Sequence, residues 1–157
     1  MELPNISPKL SKLFTTNDMD AFQTHQHNNW IYNKYTITKL QNIPCNIMPI
    51  IPNFFPIILK PIYNLTGMSK DVYKINCKEE FNMYDTHQGY WSPCFEGTHR
   101  SIDCIILNNK LVWTCCFIGY KLDGIIGAFD YWELSWKETP QKLLDNINKI
   151  TSKLDNY

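Results

Sequence analysis

Three short pieces of the sequence decide the fold when they are read together: Asn33-Lys34, then Phe55-Pro56-Ile57-Ile58-Leu59-Lys60-Pro61, then Thr66-Gly67-Met68-Ser69-Lys70. The apolar run 55–59, bounded by turn residues, reads as a buried strand, and it delivers Lys60 at its end just before a turn rich in Gly, Ser and Thr. Such a turn can present backbone N–H groups as a concave nest, and each lysine adds a compact positive charge. If Lys34 on a helix, Lys60 at the strand end and Lys70 in the turn converge, they form a site suited to polyphosphate. A plainer reading stands beside each piece. A Lys-Pro at a strand end is also a surface lysine snorkelling into a turn, Lys34 a solvent-facing helical residue, and Gly67 with Ser69 an ordinary turn.

Working outward, residues 1–28 read as an irregular amino-terminal arm with a short helix over 7–14. Asn28 and Asn29 are expected to cap a helix over 30–41, against the β-branched run Thr36, Ile37 and Thr38. After the Gly/Ser turn, 72–75 reads as a returning strand, and Asn76 with Glu79 three residues on makes a capping-box pattern for a helix to about residue 84. Two apolar strands, 101–107 and 111–118, flank Asn108-Asn109, whose tolerance of positive φ predicts a tight hairpin. A further strand is expected over 129–134, with Gly119, Gly124 and Gly127 in the loop before it. Thr139 as cap and Pro140 as opener predict a last helix, with Leu143, Leu144, Ile147, Ile150 and Leu154 on one face that serves as core or as a partner surface. The sum is an α+β protein of antiparallel sheet with flanking helices, organised as an arm (1–28), a central domain (29–138) and a carboxy-terminal amphipathic helix (139–157).

At 157 residues the chain is long enough for one domain with a real core. A hydrophobic fraction of 44% against 19% charged residues describes a globular protein and excludes a disordered tail. The formal net charge is zero, so the chain lacks the electrostatic footprint of a nucleic-acid or anionic-membrane binder. The longest apolar stretch, 47–65, is broken by prolines and by Lys60 and does not read as a spanning helix. Met1-Glu2-Leu3-Pro4 has no basic segment leading into an apolar one, so a cytoplasmic protein is expected. Arg100 is the single arginine, and Asn and Ile are abundant, as an AT-rich coding sequence would produce; Lys therefore stands where other proteins use Arg.

The six cysteines show no CxxC spacing, which leaves zinc and disulfide readings without support and makes reduced thiols the expectation. Alternation along a strand places one thiol of Cys115-Cys116 in the core and one outside. His25-x-His27 would place both imidazoles on one face of a strand, as a metal pair needs, but it lies in a polar arm and reads as solvated. His87 reads as a loop residue and Asp103 as an outward-facing carboxylate. The tryptophans (Trp30, Trp91, Trp113, Trp132 and Trp136) are expected in the core and at its margin, with base stacking the other reading.

In this order the motifs resemble the nucleotide-binding part of the ATP-grasp superfamily, in which a helix lysine precedes a Pro-containing segment, a strand ending in Lys-Pro, a Gly/Ser-rich flap, an acidic helix start, a hinge strand and a G-x-E-x-S-V-D hairpin. The counterparts are Asn33-Lys34, Ile43-Pro44-Cys45, Ile57 to Pro61, Gly67-Met68-Ser69-Lys70, Glu79-Glu80-Phe81 and Gly97-Thr98-His99-Arg100-Ser101-Ile102-Asp103. The resemblance covers roughly residues 30–118. It implies ATP held between two small sheets while a carboxylate is activated as an acyl phosphate for attack by an amine. Lys34 and Lys60 would neutralise phosphate charge, Gly67 and Ser69 would close over it with Lys70 as an auxiliary contact, and Pro93, Cys94 and Phe95 would meet the adenine edge. Two departures matter. His99 stands where many relatives carry a ribose-binding glutamate, and the Mg²⁺ ligands of the family, an Asp or Glu and a Glu-x-Asn pattern, have no counterpart here; Asp130 and Glu133 are the nearest late carboxylates. A truncated, split or degenerate ATP-grasp protein is therefore expected, with no catalytic residue assigned. The alternative expectation is a non-catalytic interaction protein that docks a partner through its last helix and aromatic surface. A third, thiol- or metal-dependent reading using His87 or His99 has no motif spacing behind it.

Overall fold

The computed structural model describes residues 17–67, 69–122, 127–135 and 139–154. Helix α1 (Asp18–Thr24) is capped by Asn17, whose side chain accepts the Asp20 N–H, and acidic residues sit in its first turn. A 3₁₀ helix (Gln26–Tyr32) follows, then α2 (Lys34–Leu40). The single helix expected over 30–41 is thus two elements. Asn33, not Asn28 or Asn29, is the cap of α2, its side chain accepting the Thr36 N–H at 2.9 Å. His25 and His27 lie at a helix junction and not on a strand. The helix expected over 7–14 lies outside the described residues.

Strands β1 (Asn46–Ile47), β2 (Ile57–Pro61), β3 (Tyr73–Ile75) and β4 (Gly89–Pro93) form one antiparallel sheet in the order β1-β4-β2-β3. Helix α3 (Lys78–Asn82) connects β3 to β4. Its capping interaction sits one residue later than Asn76 and Glu79 predict: Cys77 is the cap, and Glu80 accepts the Asn76 N–H at 2.7 Å. The core lies on one face of this sheet. Ile57 pairs with Ile75 and Leu59 with Trp91, and these residues close with Phe81 of α3 into a buried cluster. Alternation along β2 sends Ile58 and Lys60 to the opposite face. Gly89 lies where β2 and β4 approach too closely for a side chain, since a Cβ would meet the Lys60 carbonyl oxygen at 2.5 Å and the His87 ring at 2.7 Å.

Strands β5 (His99–Leu107), β6 (Lys110–Lys121) and β7 (Phe129–Ser135) form a second antiparallel sheet, β5-β6-β7. Its first hairpin turns at Asn108 and Asn109, both at positive φ (49° and 60°), as the residue types predict. Gly119 is inside β6 and not in the following loop; Gly124 lies outside the described residues. Helix α4 (Gln141–Thr151) has Pro140 at the cap position, while Thr139 makes no cap and instead meets the Thr114 hydroxyl at 3.4 Å. Asn109 donates to the Leu154 carbonyl at 2.9 Å, so the hairpin tip holds the end of this segment. Helix α4 therefore packs along the Thr114 and Cys116 side of β6. Cys116 is buried and Cys115 half-buried, as alternation requires. The opposite side of the sheet leaves Ile105, Trp113 and Trp132 exposed, so Trp113 and Trp132 are not core residues, whereas Trp91 is.

Candidate functional site

The docking of α2 decides where the two predicted lysines lie. The Lys34 backbone N–H donates to the carbonyl of Ile62, two residues past Lys60, at 2.9 Å, and Asn33 Nδ2 donates to the Tyr63 hydroxyl at 3.1 Å. The first turn of α2 is thereby tied to the exit of β2. Its body lies over the face of the sheet opposite the core, where Thr38 meets the Tyr90 hydroxyl at 3.1 Å and the Tyr35 and Tyr90 rings are 5.6 Å apart. Lys60 and Tyr90 are register partners across β2 and β4, and Lys60 Nζ stands 5.1 Å from the Tyr90 ring centroid.

Lys34 and Lys60 are brought into electrostatic reach. Burial holds the Lys60 ammonium below the usual lysine range, the Lys34 charge pushes it the same way, and the Cys45 thiol opposes both. Burial also lowers Lys34, with Asp18 opposing. Among the described residues, the groups that act on Lys60 are thus a second lysine and a thiol and not a carboxylate. Burial pushes the Cys45 thiol up, against the pull of Lys39 and Lys60. Burial drives the Tyr90 hydroxyl up to about 12, so it is a neutral donor at ordinary pH. Two part-buried cations beside aromatic rings, of which Lys34 feels Asp18 and Lys60 feels no carboxylate among the described residues, can receive an anion with more than one charged group.

The predicted flap residues lie in the turn between β2 and β3. Gly67 and Ser69 have positive φ (65° and 50°), Asn64 Nδ2 donates to the Gly67 carbonyl at 3.1 Å, and Lys70 is exposed. The Ser69 hydroxyl donates to the Gly127 carbonyl at 2.7 Å, linking this turn to the second sheet. The hinge residues follow directly from β4: Pro93 ends the strand, the Cys94 N–H donates to the Pro56 carbonyl at 3.1 Å, and Phe95 projects with 67% of its surface exposed. The Cys94 amide is therefore already engaged within the chain.

On the second sheet, His99 packs at a tilt against Phe129 (4.5 Å between centroids) and edge-on to Trp132 (5.7 Å), beside Gly119. Burial lowers the His99 imidazole, and Lys121 acts in the same direction. Asp103 is exposed on that same side of β5. Glu133 accepts from the Tyr120 hydroxyl at 2.6 Å and is committed to that contact. Among the described residues no three His, Cys, Asp or Glu side chains gather as a metal cluster. No residue is therefore assigned to Mg²⁺, and no step is derived through it. His87 packs edge-on to Tyr73 at 5.7 Å, with its Nδ1 buried and unpartnered among the described residues.

Sequence reasoning missed Tyr90 and Thr38, the residues that join the two lysine-bearing elements. It also missed Lys74, which pairs with Ile58 and so shares the Lys60 face. The alternation of Tyr73-Lys74-Ile75 carries the signal for Lys74, because its neighbours face the core. Tyr90 leaves no comparable trace, since its partner is set by cross-strand register.

No family model matches the chain, and no curated protein matches it. Among solved structures, an L-amino acid ligase from Bacillus licheniformis superposes over 89% of this chain with a TM-score of 0.57 at 8% sequence identity. The aligned region spans 35% of that ligase's own length. At this identity the likeness is one of fold, and it supports an ATP-grasp-like α+β architecture. Among the described residues no helix is long and apolar enough to cross a membrane.

Proposed function

We propose that the chain binds ATP on the Lys60 face of the first sheet, with the polyphosphate between Lys34 and Lys60. The turn of Gly67, Ser69 and Lys70 covers it, and the adenine lies toward Pro93, Cys94 and Phe95. The observation that carries this reading is the docking of the first turn of the Lys34 helix on the exit of β2, where the Lys34 N–H donates to the Ile62 carbonyl at 2.9 Å, which brings together two half-buried lysines with no carboxylate acting on Lys60 among the described residues. Such a pair is stabilised by a bound anion. With the Cys94 N–H engaged by Pro56, the adenine edge meets the hinge through its carbonyls and the exposed Phe95 ring.

The chemistry proposed for this fold is that of a carboxylate–amine ligase. The γ-phosphoryl group of ATP passes to a carboxylate oxygen, leaving ADP and an acyl phosphate. An amine then attacks the acyl carbon, the C–O bond breaks, phosphate departs and the amine loses a proton. The residues described here bind and orient the nucleotide. Turnover requires the metal site, which in this reading a second polypeptide or a further segment supplies. A second reading, an interaction protein without turnover, is favoured by one observation: Ile105 and Trp113 are about half exposed on the face of the second sheet that carries His99. The last helix belongs to that reading as a further partner surface.

Thermal melting with ATP and Mg²⁺ separates the two. Ligand at 100 times its Kd stabilises the folded state by about 2.7 kcal/mol, which is several degrees of Tm for a chain of this size. A shift in the wild type that is lost in Lys60→Ala supports the nucleotide site. No shift in either, with both proteins folded, overturns it in favour of the interaction reading.

A further inference from the structure

We infer that Tyr90 is the positioning residue of the two-lysine site: its ring seats Lys60 while its hydroxyl, through Thr38, anchors the Lys34 helix, spacing the two ammonium groups for a ligand with linked phosphates. The ligand preference rests on the nucleotide reading above; the positioning rests on geometry alone.

The direction of the hydrogen bonds can be derived. Thr38 Oγ1 lies 2.7 Å from the Lys34 carbonyl, an acceptor only, so the single Thr38 hydroxyl proton is spent there. The contact between Thr38 Oγ1 and the Tyr90 hydroxyl at 3.1 Å must then have Tyr90 as donor. The result is a one-way chain, Tyr90 O–H to Thr38 Oγ1 and Thr38 O–H to Lys34 C=O, whose first member also underlies the Lys60 ammonium at 5.1 Å. Thr38 and Tyr90 are both buried, so the chain is shielded from competing water. The elevated pKa of Tyr90 keeps the donor proton in place. One side chain therefore touches Lys60 directly and, through Thr38, the helix that carries Lys34, so the two lysine-bearing elements are tied together by the protein and not by the ligand. Lysines on two elements tied in this way engage two linked phosphates at a reduced ordering cost, whereas a single phosphate gains from only one of them.

The test uses Tyr90→Phe, Thr38→Val and their combination, with ADP, AMP and inorganic pyrophosphate titrated by calorimetry. Wild type is expected to prefer ADP over AMP by roughly tenfold or more, the gain from one further charge-assisted contact. Each single variant should reduce that preference several-fold, weakening ADP more than AMP. The double variant should be no worse than the singles, since all three break the same chain. A second readout follows the Lys60 side chain by carbon-13 NMR, with Lys60→Arg for assignment. Tyr90→Phe keeps the ring and should leave the Lys60 titration in place, while Tyr90→Met should lower it by about half a pH unit as the charged form loses its aromatic seat.

Equal effects on ADP and AMP, or none on either, would overturn the positioning role. A Lys60 titration unchanged in Tyr90→Met would overturn the seating. Failure of wild type to bind ADP or pyrophosphate would overturn the nucleotide reading and the ligand preference with it, while the titration still decides what Tyr90 does to Lys60. Tyr90→Phe and Thr38→Val preserve packing volume, so the preference measurement stands even should Tyr90→Met fail to fold.

Discussion

Replacing Lys60 by Met should raise the stability of the ligand-free chain while weakening the ATP binding proposed above, because the two states need different things from this side chain. Met is unbranched and of similar reach, so it can lie beside the Tyr90 ring as Lys60 does and loses the cation–π attraction, worth about 0.5–1 kcal/mol. The gain has two parts. The desolvation of the ammonium disappears, and so does its repulsion from Lys34. At an effective dielectric near 20 the repulsion of two neighbouring unit charges is on the order of 1 kcal/mol once partial exposure is allowed for. With relief of desolvation of the same order, the net gain is about 1 kcal/mol, or ~2–4 °C in Tm. ATP loses a charge-assisted contact worth about 1.5–3 kcal/mol, so binding should weaken by roughly 10- to 150-fold. Urea denaturation without ligand gives the first number and titration calorimetry the second. Lower ligand-free stability with unchanged ATP affinity would refute the reasoning and make Lys60 a structural lysine.

Three further outcomes are expected. Because burial holds Lys34 and Lys60 below the ordinary lysine value of 10.5, ADP affinity should fall with rising pH before that value is reached. Ligand-free stability moves oppositely: between the lowered values and 10.5 the unfolded chain binds more protons, so these groups make stability rise with pH. Affinity that stays level through that alkaline window would count against the site. At the hairpin tip, Asn108→Gly should be neutral or stabilising by up to ~1 kcal/mol, whereas Asn109→Gly should destabilise, since only Asn109 carries the bond to Leu154. Equal responses in urea denaturation would show that backbone strain, and not that bond, governs the turn. Gly119→Ala would put a methyl 2.7 Å from the Phe129 ring and 2.8 Å from that of Trp132, forcing the aromatic cluster apart at a cost of about 1–3 kcal/mol. Unchanged tryptophan fluorescence and stability would contradict that packing.

The parts of this fold legible from sequence are those whose causes are local. Asn108-Asn109 signals its hairpin through two adjacent residues that tolerate positive φ, and the prolines around β2 delimit a strand that delivers Lys60. The break before α2 was hidden because Asn28, Asn29 and Asn33 are chemically equivalent caps; the choice falls to Asn33 through docking on Ile62 and Tyr63, which no local signal encodes. Helix α1 was missed for a related reason. Its Asn17 cap and acidic first turn are real start signals, but no described residue of this helix is buried, so it leaves no strong apolar period. Within the candidate site, the lysines were visible as charged residues at element ends, while Tyr90 and Thr38 depend on strand order β1-β4-β2-β3, a long-range property.

The alternation along β2 makes length, and not only identity, a determinant of what this protein does. Ile57 and Leu59 have no exposed surface, while Lys60 faces the opposite way. Deleting or inserting one residue between Pro56 and Lys60 would turn the ammonium into the Phe81 and Trp91 cluster and place a leucine on the face of the proposed nucleotide site. Conservative substitutions at any single one of these positions are milder, because each disturbs one face alone. The interval from Pro56 to Lys60 is therefore intolerant of frame changes in a way that the longer turn after Pro61 is not.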